Sequence, residues 1–481
     1  MLTEINGKKF EIKPSQTILD NSANQKGTPY QDFDDVALSR DESKCIGCGL
    51  CRTACLEYNH LGIPVETKVG NCTYFRPDGK LKVSESNCTR CGQCVMACPT
   101  NTLHEKENIE DVKKALADPD KVVIAQTAPS SRVSLAESFG GQPGEILEGQ
   151  MVAALKKLGF DYVFDVNLGA DFTTYEEAYD LKDRIEDGST PLFTSCCPAR
   201  VKYIEDFHKD LIGNITSVRS PQQCLAVLIN TYFAQKLKLD FQKIIVVSIM
   251  PCIAKKFESR REGEDKSGYW DVDWVLTTRE FIKMIKEANI DLRNIEPAKF
   301  DSPLGQASGA GAIYGAAGGV MESAIRTFAD IFHGEKIEKI DYQEFRGMEG
   351  IKKATLNIGS KGAPFGGGKD LKIAVATGLA NAEKIIDEIK KGETYHYVEV
   401  MACPGGCVGG GGQPKPSTFE IINKRREALY KIDKDLPIRK AHENPIVQQV
   451  YKEFLGCPGS ELAQKYLHTN YNVRQARICK I

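Results

Sequence analysis

The stretch KIIVVSIMPCIAKKFE, residues 243–258, joins an apolar run to one cysteine and then to a lysine. An unbroken run of valine and isoleucine is typical of a strand buried on both faces. The same order of apolar run and cysteine recurs in PLFTSCCP at 191–198 and in YVEVMACPGGC at 397–407. Ligand sites in open α/β sheets lie beyond the carboxyl ends of the strands. We therefore expect three remote segments to bring their cysteines to one pocket.

Similar runs alternate with helical patterns from about residue 111 onward, which predicts α/β layers with largely parallel sheets. The predicted strands are 121–126, 160–166, 191–194, 243–250, 272–277, 371–377 and 396–401, and predicted helices include 147–158, 173–187 and 379–391.

Length and composition are those of a globular protein with a sizeable core. The chain has 481 residues, of which 41% are hydrophobic and 27% charged, and such a length suggests about three domains. The net charge of -2 gives no electrostatic reason for binding nucleic acid or an anionic membrane. The first residues do not resemble a signal peptide, and no apolar run approaches the roughly 18 residues of a membrane span. We expect no membrane association.

Cysteine usage indicates iron rather than disulfides. Seventeen cysteines without a recognisable signal peptide favour metal ligation in a reducing compartment. We therefore expect a cytoplasmic protein, from an anaerobe or an oxygen-poor setting.

Two C-x-x-C-x-x-C-x-x-x-C runs, at 45–55 and 88–98, occupy the predicted domain 37–110. Three such cysteines bind one 4Fe–4S cluster, and the fourth of each run reaches the other cluster. Zinc is the alternative, but zinc sites use C-x-x-C pairs rather than two runs of four. The pattern therefore predicts an electron relay. We assign one cluster to Cys45, Cys48, Cys51 and Cys98 and the other to Cys88, Cys91, Cys94 and Cys55.

The predicted segment 1–36 begins with a hairpin that turns at Asn6–Gly7, followed by a helix over 15–27. It resembles the opening of a plant-type ferredoxin domain but contains no cysteine. We interpret it as a vestigial adaptor.

Three segments, TSCCP at 194–198, MPCIAKKFE at 250–258 and MACPGGCVGGGGQP at 401–414, resemble the signature segments of the iron-iron hydrogenases. The resemblance extends from roughly residue 45 to the late 460s. It also includes the segments QTAPSSRV at 126–133, SPQQ at 220–223, SGAGAIYGAAGGVMESA at 308–324 and ALYKIDKDLPIRKAHENP at 428–445.

This resemblance implies an α/β catalytic domain, residues 111–481, with parallel-sheet layers around a buried iron cofactor and a C-terminal segment like the family's small subunit. A small α+β two-cluster ferredoxin-like domain would precede it. The implied cofactor is the H-cluster, a 4Fe–4S cluster bridged to a two-iron subsite with carbonyl, cyanide and azadithiolate. Its implied ligands are Cys197, Cys252, Cys403 and the bridging Cys407.

The resemblance also assigns the pocket around the two-iron subsite. Lys255 would donate hydrogen bonds to a cyanide, and glycines at 405–406 and 409–412 would let the backbone approach a bulky group. A flexible loop or a phosphate cradle is the alternative for these glycines, but the spacing fits neither a phosphate-binding nor a dinucleotide motif. The matching pocket positions are Ala128, Pro129, Ser130, Ser220, Pro221, Gln222, Met250, Tyr314 and Met401.

Cys196 precedes a cluster ligand, so its side chain should point away from that cluster, and a positioned thiol can pass a proton. In the family this cysteine serves the two-iron subsite. Glu177, Asp180 and Arg184 share one face of a predicted helix. Together with Thr216 they match the family's proton path, in which Thr216 replaces serine and Asp180 replaces glutamate. An exposed, ion-paired helix face is the alternative interpretation.

One departure concerns the first signature segment. The family usually continues TSCCP with glycine and tryptophan, whereas this chain has Ala199 and Arg200. The departure indicates a divergent subgroup of the family and leaves rate, oxygen tolerance and catalytic bias open, but it removes no ligand. The cysteines at 72, 224, 457 and 479 have no paired spacing, and neither these nor the seven histidines are assigned to metal.

Three functions are considered. The first is reversible proton reduction to dihydrogen with electrons from ferredoxin. The second is a sensory hydrogenase-like protein with low turnover, and the third is a non-catalytic iron–sulfur assembly relative. Cys196, Lys255 and Met401 favour the enzyme. Maturation proteins for the two-iron subsite are implied partners, and a homodimer or a flavin-containing partner subunit is left open.

Overall fold

The computed structural model describes residues 2–13, 35–69, 72–77, 82–332, 341–357 and 370–472. The predicted helix over 15–27 and the tail from residue 473, with Cys479, lie outside the described residues. The strands are β1 (Leu2–Ile5), β2 (Lys8–Glu11), β3 (Leu38–Arg40), β4 (Pro64–Val69), β5 (Cys72–Pro77), β6 (Leu103–Glu105), β7 (Val122–Thr127), β8 (Tyr162–Asp165), β9 (Leu192–Phe193), β10 (Ile244–Met250), β11 (Trp274–Thr277), β12 (Ile351–Asn357), β13 (Asp370–Thr377) and β14 (Tyr397–Met401).

The α-helices are α1 (Leu50–Asn59), α2 (Gln93–Ala97), α3 (Ile109–Ala117), α4 (Pro129–Arg132), α5 (Glu148–Lys157), α6 (Val166–Asp187), α7 (Pro198–Phe207), α8 (Pro221–Leu228), α9 (Ala234–Leu237), α10 (Ala254–Glu258), α11 (Thr278–Glu287), α12 (Gly309–Ala312), α13 (Gly319–Phe332), α14 (Leu379–Lys390), α15 (Phe419–Asp435), α16 (Pro445–Val450) and α17 (Glu461–Leu467). Single π-helical turns cover Ile229–Phe233 and Tyr451–Leu455. Short 3-10 turns cover Glu42–Lys44, Val83–Glu85, Ala136–Phe139, Lys209–Asn214, Phe241–Lys243, Ile313–Gly315, Gln343–Phe345, Cys407–Gly409 and Ala441–Glu443. Within the described ranges, no helix combines the length and apolar character needed to cross a membrane.

The predicted N-terminal hairpin is confirmed. Strands β1 and β2 pair antiparallel, and Asn6 and Gly7 both have positive φ, as a tight two-residue turn requires. The hairpin packs on the first cysteine-bearing helix, because the Asn6 backbone N–H donates to the Tyr58 hydroxyl and Lys8 pairs with Glu57 at 2.9 Å. The segment is thus attached to the cysteine-rich part.

The cysteine-rich part is α+β, as expected. Its helices α1 and α2 pack together beside two small antiparallel pairs, β3 with β6 and β4 with β5.

A fully parallel sheet forms the first layer of the part that follows residue 111, in the order β11-β10-β7-β8. Alternate residues of its central strands enter different cores. Ile124 and Val246 pack on the side of α8, whereas Val123 and Val247 pack with α5 and α11. Burial on both faces explains the unbroken apolar runs that identified these strands.

The second sheet has the order β12-β13-β14-β9 and is parallel except for the edge strand β12, which runs antiparallel to β13. Strand β12 is absent from the strands predicted above. Its residues IKKATLN are mostly exposed or half-buried, so the strand lacks the apolar run of its neighbours. Mixed sheets with an antiparallel edge are common in such folds.

Helix α6 links the two sheets and is longer than predicted. The predicted helix begins at residue 173, but α6 begins at Val166, directly after β8, where the Asp165 carboxylate accepts from the Asn167 N–H. The first turns are buried on all sides and therefore show no amphipathic period. Phe172 packs in the core of the first sheet and Leu181 in that of the second.

Gly169 sets the distance between α6 and α8. A Cβ at this position would lie 2.1 Å from the Pro221 carbonyl oxygen. Gly169→Ala should lower stability by about 1–3 kcal/mol through overpacking, which exceeds the gain of up to about 1 kcal/mol in helix propensity. We expect Gly169→Ala to have a lower melting temperature than the wild-type protein, with both measured under anaerobic conditions at one fixed scan rate.

Gly213→Ala is the matched control, because Gly213 is exposed and a Cβ added there would have no atom within 4 Å. Equal melting temperatures for the two variants would contradict the close approach of α6 and α8.

Candidate functional site

The carboxyl ends of strands from both sheets meet at one pocket. Strand β7 leads into Ala128, β10 into Cys252, β9 into Cys196 and β14 into Cys407. Of the nine predicted pocket positions, eight line it, together with Cys196, Cys252, Cys407 and Lys255. These eight are Ala128, Pro129, Ser130, Pro221, Gln222, Met250, Tyr314 and Met401.

The four predicted ligands of the active-site cluster are close neighbours. Cys252 is within electrostatic reach of Cys407 and Cys197, and Cys403 is within reach of all three. Burial raises the pKa of the Cys407 thiol to about 12, so at neutral pH it keeps its proton until metal binding displaces the proton to solvent. Four converging thiols are the donor set that iron–sulfur clusters require.

The walls of the pocket suit a bulky polar group. The Ser130 hydroxyl and the Gln222 carbonyl oxygen are buried and have no hydrogen-bond partner among the described residues. Directly before the lining residue Cys407, a Cβ at Gly406, where φ is +97°, would lie 2.5 Å from the Ala317 N atom. Unsatisfied polar atoms and close backbone packing both fit a cofactor that fills the pocket.

Lys255 lies in the pocket wall and is 8% exposed. Its ammonium group pairs with Glu258 at 2.8 Å. The Glu258 carboxylate also accepts from the Ser220 hydroxyl at 2.8 Å and from the Gln222 amide at 3.0 Å. Ser220, the ninth predicted pocket residue, does not line the pocket and instead holds Glu258. Glu258 was assigned no role from the sequence, although it occupies the last place of the MPCIAKKFE segment.

The eight cysteines of the two runs form the two groups expected. Cys45, Cys48, Cys51 and Cys98 surround one cavity. Cys55, Cys88, Cys91 and Cys94 surround another.

The second of these groups adjoins the active-site cysteines. The Cys403 thiol lies 3.9 Å from the Cys91 carbonyl oxygen, and the Gln93 amide donates to the Gly409 carbonyl at 3.0 Å. This order places the Cys55 group between the Cys45 group and the pocket, as an electron relay needs.

The predicted proton-path residues lie along α6 and the segment that follows β9. Thr216 donates to one Asp180 oxygen at 2.6 Å, and the Arg184 Nε donates to the other at 2.9 Å. Asp180 reaches Thr216 directly, so its shorter side chain needs no bridging water there. Arg184 also donates to the Gly213 carbonyl near the surface. Among the described residues, no hydrogen bond joins Glu177 to Asp180 or Thr216, so the two parts of the path are separate in this structure.

Glu177 is fully buried between this ion pair and Cys196. The Tyr397 hydroxyl donates to one carboxylate oxygen at 2.7 Å, and the backbone N–H of Ser195 lies close to the carboxylate. Burial raises the pKa of Glu177 to about 7, although the bond from Tyr397 opposes the shift. Burial, reinforced by Glu177, raises the pKa of the Cys196 thiol well above its ordinary value. At neutral pH Cys196 therefore holds its proton, and Glu177 can exchange one.

Two pocket residues carry no sequence signal. Val166 and Ala170 line the pocket but are small or apolar and resemble ordinary core residues, whereas Gly311, which also lines it, belongs to the family-like segment 308–324. The cysteines left without a role are dispersed: Cys224 is buried, Cys457 is exposed and Cys72 lies in strand β5. His442 lies near Asp330 and Glu443, but Lys440 and His442 already pair with Asp330.

Family comparisons cover most of the chain. Residues 121–411 match the iron only hydrogenase large subunit, C-terminal domain, residues 419–474 match the iron hydrogenase small subunit, and residues 39–102 match a 4Fe-4S dicluster domain. The first match alone spans more than half of the chain. The match at 39–102 accounts for both cysteine runs.

Two curated relatives are hydrogenases. The chain is 42% identical to the NADP-reducing hydrogenase subunit HndD of Solidesulfovibrio fructosivorans over 448 residues, covering 92% of this chain and 75% of the relative. It is 40% identical to iron hydrogenase 1 of Clostridium pasteurianum over 470 residues, covering 96% and 80%. The chain is also 32% identical to cytosolic iron-sulfur assembly component 3 of Bos taurus, and the match covers 82% of this chain and 84% of that relative.

Solved structures give the same fold. An apo [FeFe]-hydrogenase HydA1 from Chlamydomonas reinhardtii superposes with a TM-score of 0.68 at 37% identity, covering 76% of this chain and 99% of that one. Another solved structure with a TM-score of 0.68 concerns H-cluster assembly in an [FeFe]-hydrogenase. The parallel-sheet α/β architecture is thus that of the H-cluster-bearing hydrogenases.

The environment of Glu177 can be tested through Tyr397. Tyr397→Phe removes a hydrogen bond that favours the carboxylate form, so the pKa of Glu177 should rise above about 7. The acid would then keep its proton to higher pH. Infrared titration of the protonated carboxyl band, assigned by its loss in Glu177→Gln, measures this shift.

Tyr395→Phe is the matched control, because Tyr395 makes the same bond to Glu388 at the surface. An equal shift of the Glu177 band in both variants would contradict the contact with Tyr397.

Proposed function

Because this chain belongs to the iron-only hydrogenase family, we propose that it catalyses the reversible reduction of protons to dihydrogen. The position of Cys196 is the observation that carries the proposal. This thiol lies beside the four converging cysteines, and it lines the same pocket as Lys255 and Met401. A protein that only held clusters would not need this thiol.

The cysteine groups fit the family's cofactors. Two 4Fe–4S clusters belong to the dicluster domain, one in the Cys45 group and one in the Cys55 group. We propose that Cys197, Cys252, Cys403 and Cys407 hold the 4Fe–4S part of the H-cluster, with Cys407 shared with the two-iron subsite. The Lys255 cation then faces the subsite, and Glu258 keeps it in place.

When bound, the two-iron subsite supplies the metal centre and the base at which dihydrogen is made or split. The chain supplies the proton. Cys196 holds a proton at the pocket wall, and Glu177, with its pKa of about 7, reprotonates it at neutral pH. From helix α6 the proposed proton path continues to the surface through Asp180, Thr216 and Arg184. A rearrangement or a bridging water between Glu177 and Asp180 must complete this path, since no direct bond joins them.

Electrons would arrive through the N-terminal clusters, from the Cys45 group to the Cys55 group and then to Cys403. Reduced ferredoxin is the donor we propose. The relative named as a subunit of an NADP-reducing hydrogenase supports a flavin-containing partner subunit as the alternative source. Maturation proteins would install the two-iron subsite.

We also propose that the chain is divided into three units, residues 1–36, 37–110 and 111–481. The proposed location is the cytoplasm, where free thiols persist.

Two functions with little or no turnover compete with this proposal. An assembly protein is supported by the 32% identity to cytosolic iron-sulfur assembly component 3, and a sensor with low turnover would keep the same pocket. The complete proton-path set, from Cys196 to Arg184, favours turnover over both.

Infrared spectroscopy and a dihydrogen assay together test the proposal. The matured protein should show metal-bound carbonyl and cyanide bands and turn over dihydrogen with reduced ferredoxin. Cys196→Ala should keep the bands but lose at least about 100-fold in turnover, the usual contribution of a positioned proton donor.

Cys224→Ala removes another buried thiol, one that lies outside the pocket, and should behave as wild type. Missing bands in the wild-type protein would refute the H-cluster assignment, whereas bands with negligible turnover would favour a sensor.

Iron content tests the ligand assignment separately. Cys403→Ala should lose the iron of the active-site cluster but keep that of the two N-terminal clusters, because each cluster has its own cysteine set. Iron analysis of the anaerobically purified protein measures this, with Cys224→Ala again as control. Full iron content in Cys403→Ala would mean that Cys403 is not a ligand.

A further inference from the structure

Arg200 is a buried cation without a visible partner. It lies in the first turn of α7, three residues after Cys197, and its backbone N–H donates to the Cys197 carbonyl at 3.1 Å. The side chain is 0% exposed. None of its three side-chain nitrogens has a hydrogen-bond partner among the described residues.

The other fully buried arginines of the described chain do not share this condition. Each has at least one carboxylate partner: Arg132 with Asp165, Arg219 with Asp271, Arg326 with Asp433 and Arg425 with Glu137. An uncompensated buried charge costs several kcal/mol. Arg200 is therefore expected to face a negative group that the side chains alone do not provide.

The surroundings indicate which group this is. Apart from burial, the groups acting most strongly on Arg200 are Cys197, Cys196, Tyr471 and Glu177, in that order. None of these groups forms a hydrogen bond with the Arg200 guanidinium in the described part of the chain. Cys197 is the one among them proposed as an iron ligand, and a cysteine that binds iron is a thiolate.

The position of Arg200 in its helix points the same way. The first turn of a helix carries a partial positive charge, so a cation there is disfavoured. A guanidinium at this place needs a strong anion nearby. An iron–sulfur cluster with four thiolate ligands carries net negative charge and presents sulfur atoms as hydrogen-bond acceptors.

We propose that Arg200 is the countercharge of the active-site 4Fe–4S cluster and raises its reduction potential. The inference rests on the proposed function only in requiring that cluster at Cys197. Adding one electron makes the cluster more negative, and the fixed cation stabilises that reduced form. The electron comes from the neighbouring relay cluster, and no bond at Arg200 forms or breaks. Net charge and hydrogen bonds to sulfur are the terms that set such potentials.

This function would distinguish the chain within its family. Family members resembling this sequence usually have tryptophan where Arg200 stands, and tryptophan offers one N–H donor but no charge. Arg200 thus acts through the reduction potential of the cluster and does not touch the reacting atoms. A higher potential would shift the balance between dihydrogen production and dihydrogen uptake.

The test is infrared spectroelectrochemistry of the matured, full-length protein. The carbonyl and cyanide bands report the oxidation state of the cluster bridged to the two-iron subsite. At a fixed potential, Arg200→Trp should raise the ratio of oxidised to reduced protein at least tenfold, which is a shift of about 59 mV for one electron. Arg200→Lys keeps the charge and should restore most of the wild-type ratio.

Lys202→Gln is the matched control, since Lys202 is a buried cation of the same helix whose charge is compensated by Asp206. It should leave the ratio within twofold of wild type. Paramagnetic resonance titration of each variant made without the two-iron subsite gives a second readout, in which the same order of potentials is expected.

The outcomes separate the two claims. Missing carbonyl bands in the wild-type protein would overturn the proposed function. Bands with an unchanged ratio in Arg200→Trp, or an equal shift in Arg200→Lys, would overturn the role of Arg200 while leaving the proposed function intact.

Discussion

Close backbone packing of the glycine-rich loop at 405–412 holds the cysteine-rich part of the chain against the strand ends of the α/β part. A Cβ at Gly410 would lie 2.2 Å from the Pro251 carbonyl oxygen, and one at Gly411 would lie 2.5 Å from the Cys91 carbonyl oxygen. The loop therefore touches both the end of strand β10 and the second cysteine run. These contacts bring the relay and the catalytic cysteines together, and only glycine permits them.

Charge inside the protein follows a consistent rule. Buried cations are matched by carboxylates throughout the described core, including the pair of Lys255 with Glu258 at the pocket itself. Arg200 departs from this rule beside Cys197, where an iron–sulfur cluster would complete the balance. The positive charge of Arg200 thus lacks a countercharge among the described side chains at the place where the cluster is expected.

In the proposed function, electrons and protons would reach the pocket through different parts of the fold. The relay would enter where Cys91 contacts Cys403, on loops that glycines hold close. The proton path would follow α6, where Glu177 is buried near Cys196 and Asp180 bonds to Thr216 and Arg184. This separation lets each route be set by its own residues, the relay by thiolates and the proton path by a carboxyl and a thiol of raised pKa.

Fixed cysteine spacing and unbroken apolar runs are local signals, so the sequence alone predicts the two cysteine groups and the strands buried on both faces, and its resemblance to the family predicts the ligands of the third cluster. It also placed Asp180 and Arg184 on one helix face. Only the folded structure shows that Ser220 supports Glu258 instead of lining the pocket, that β12 closes the second sheet and that Arg200 has no carboxylate partner in the described part of the chain. Each of these depends on contacts between segments distant in the chain, and composition and periodicity contain no record of such contacts.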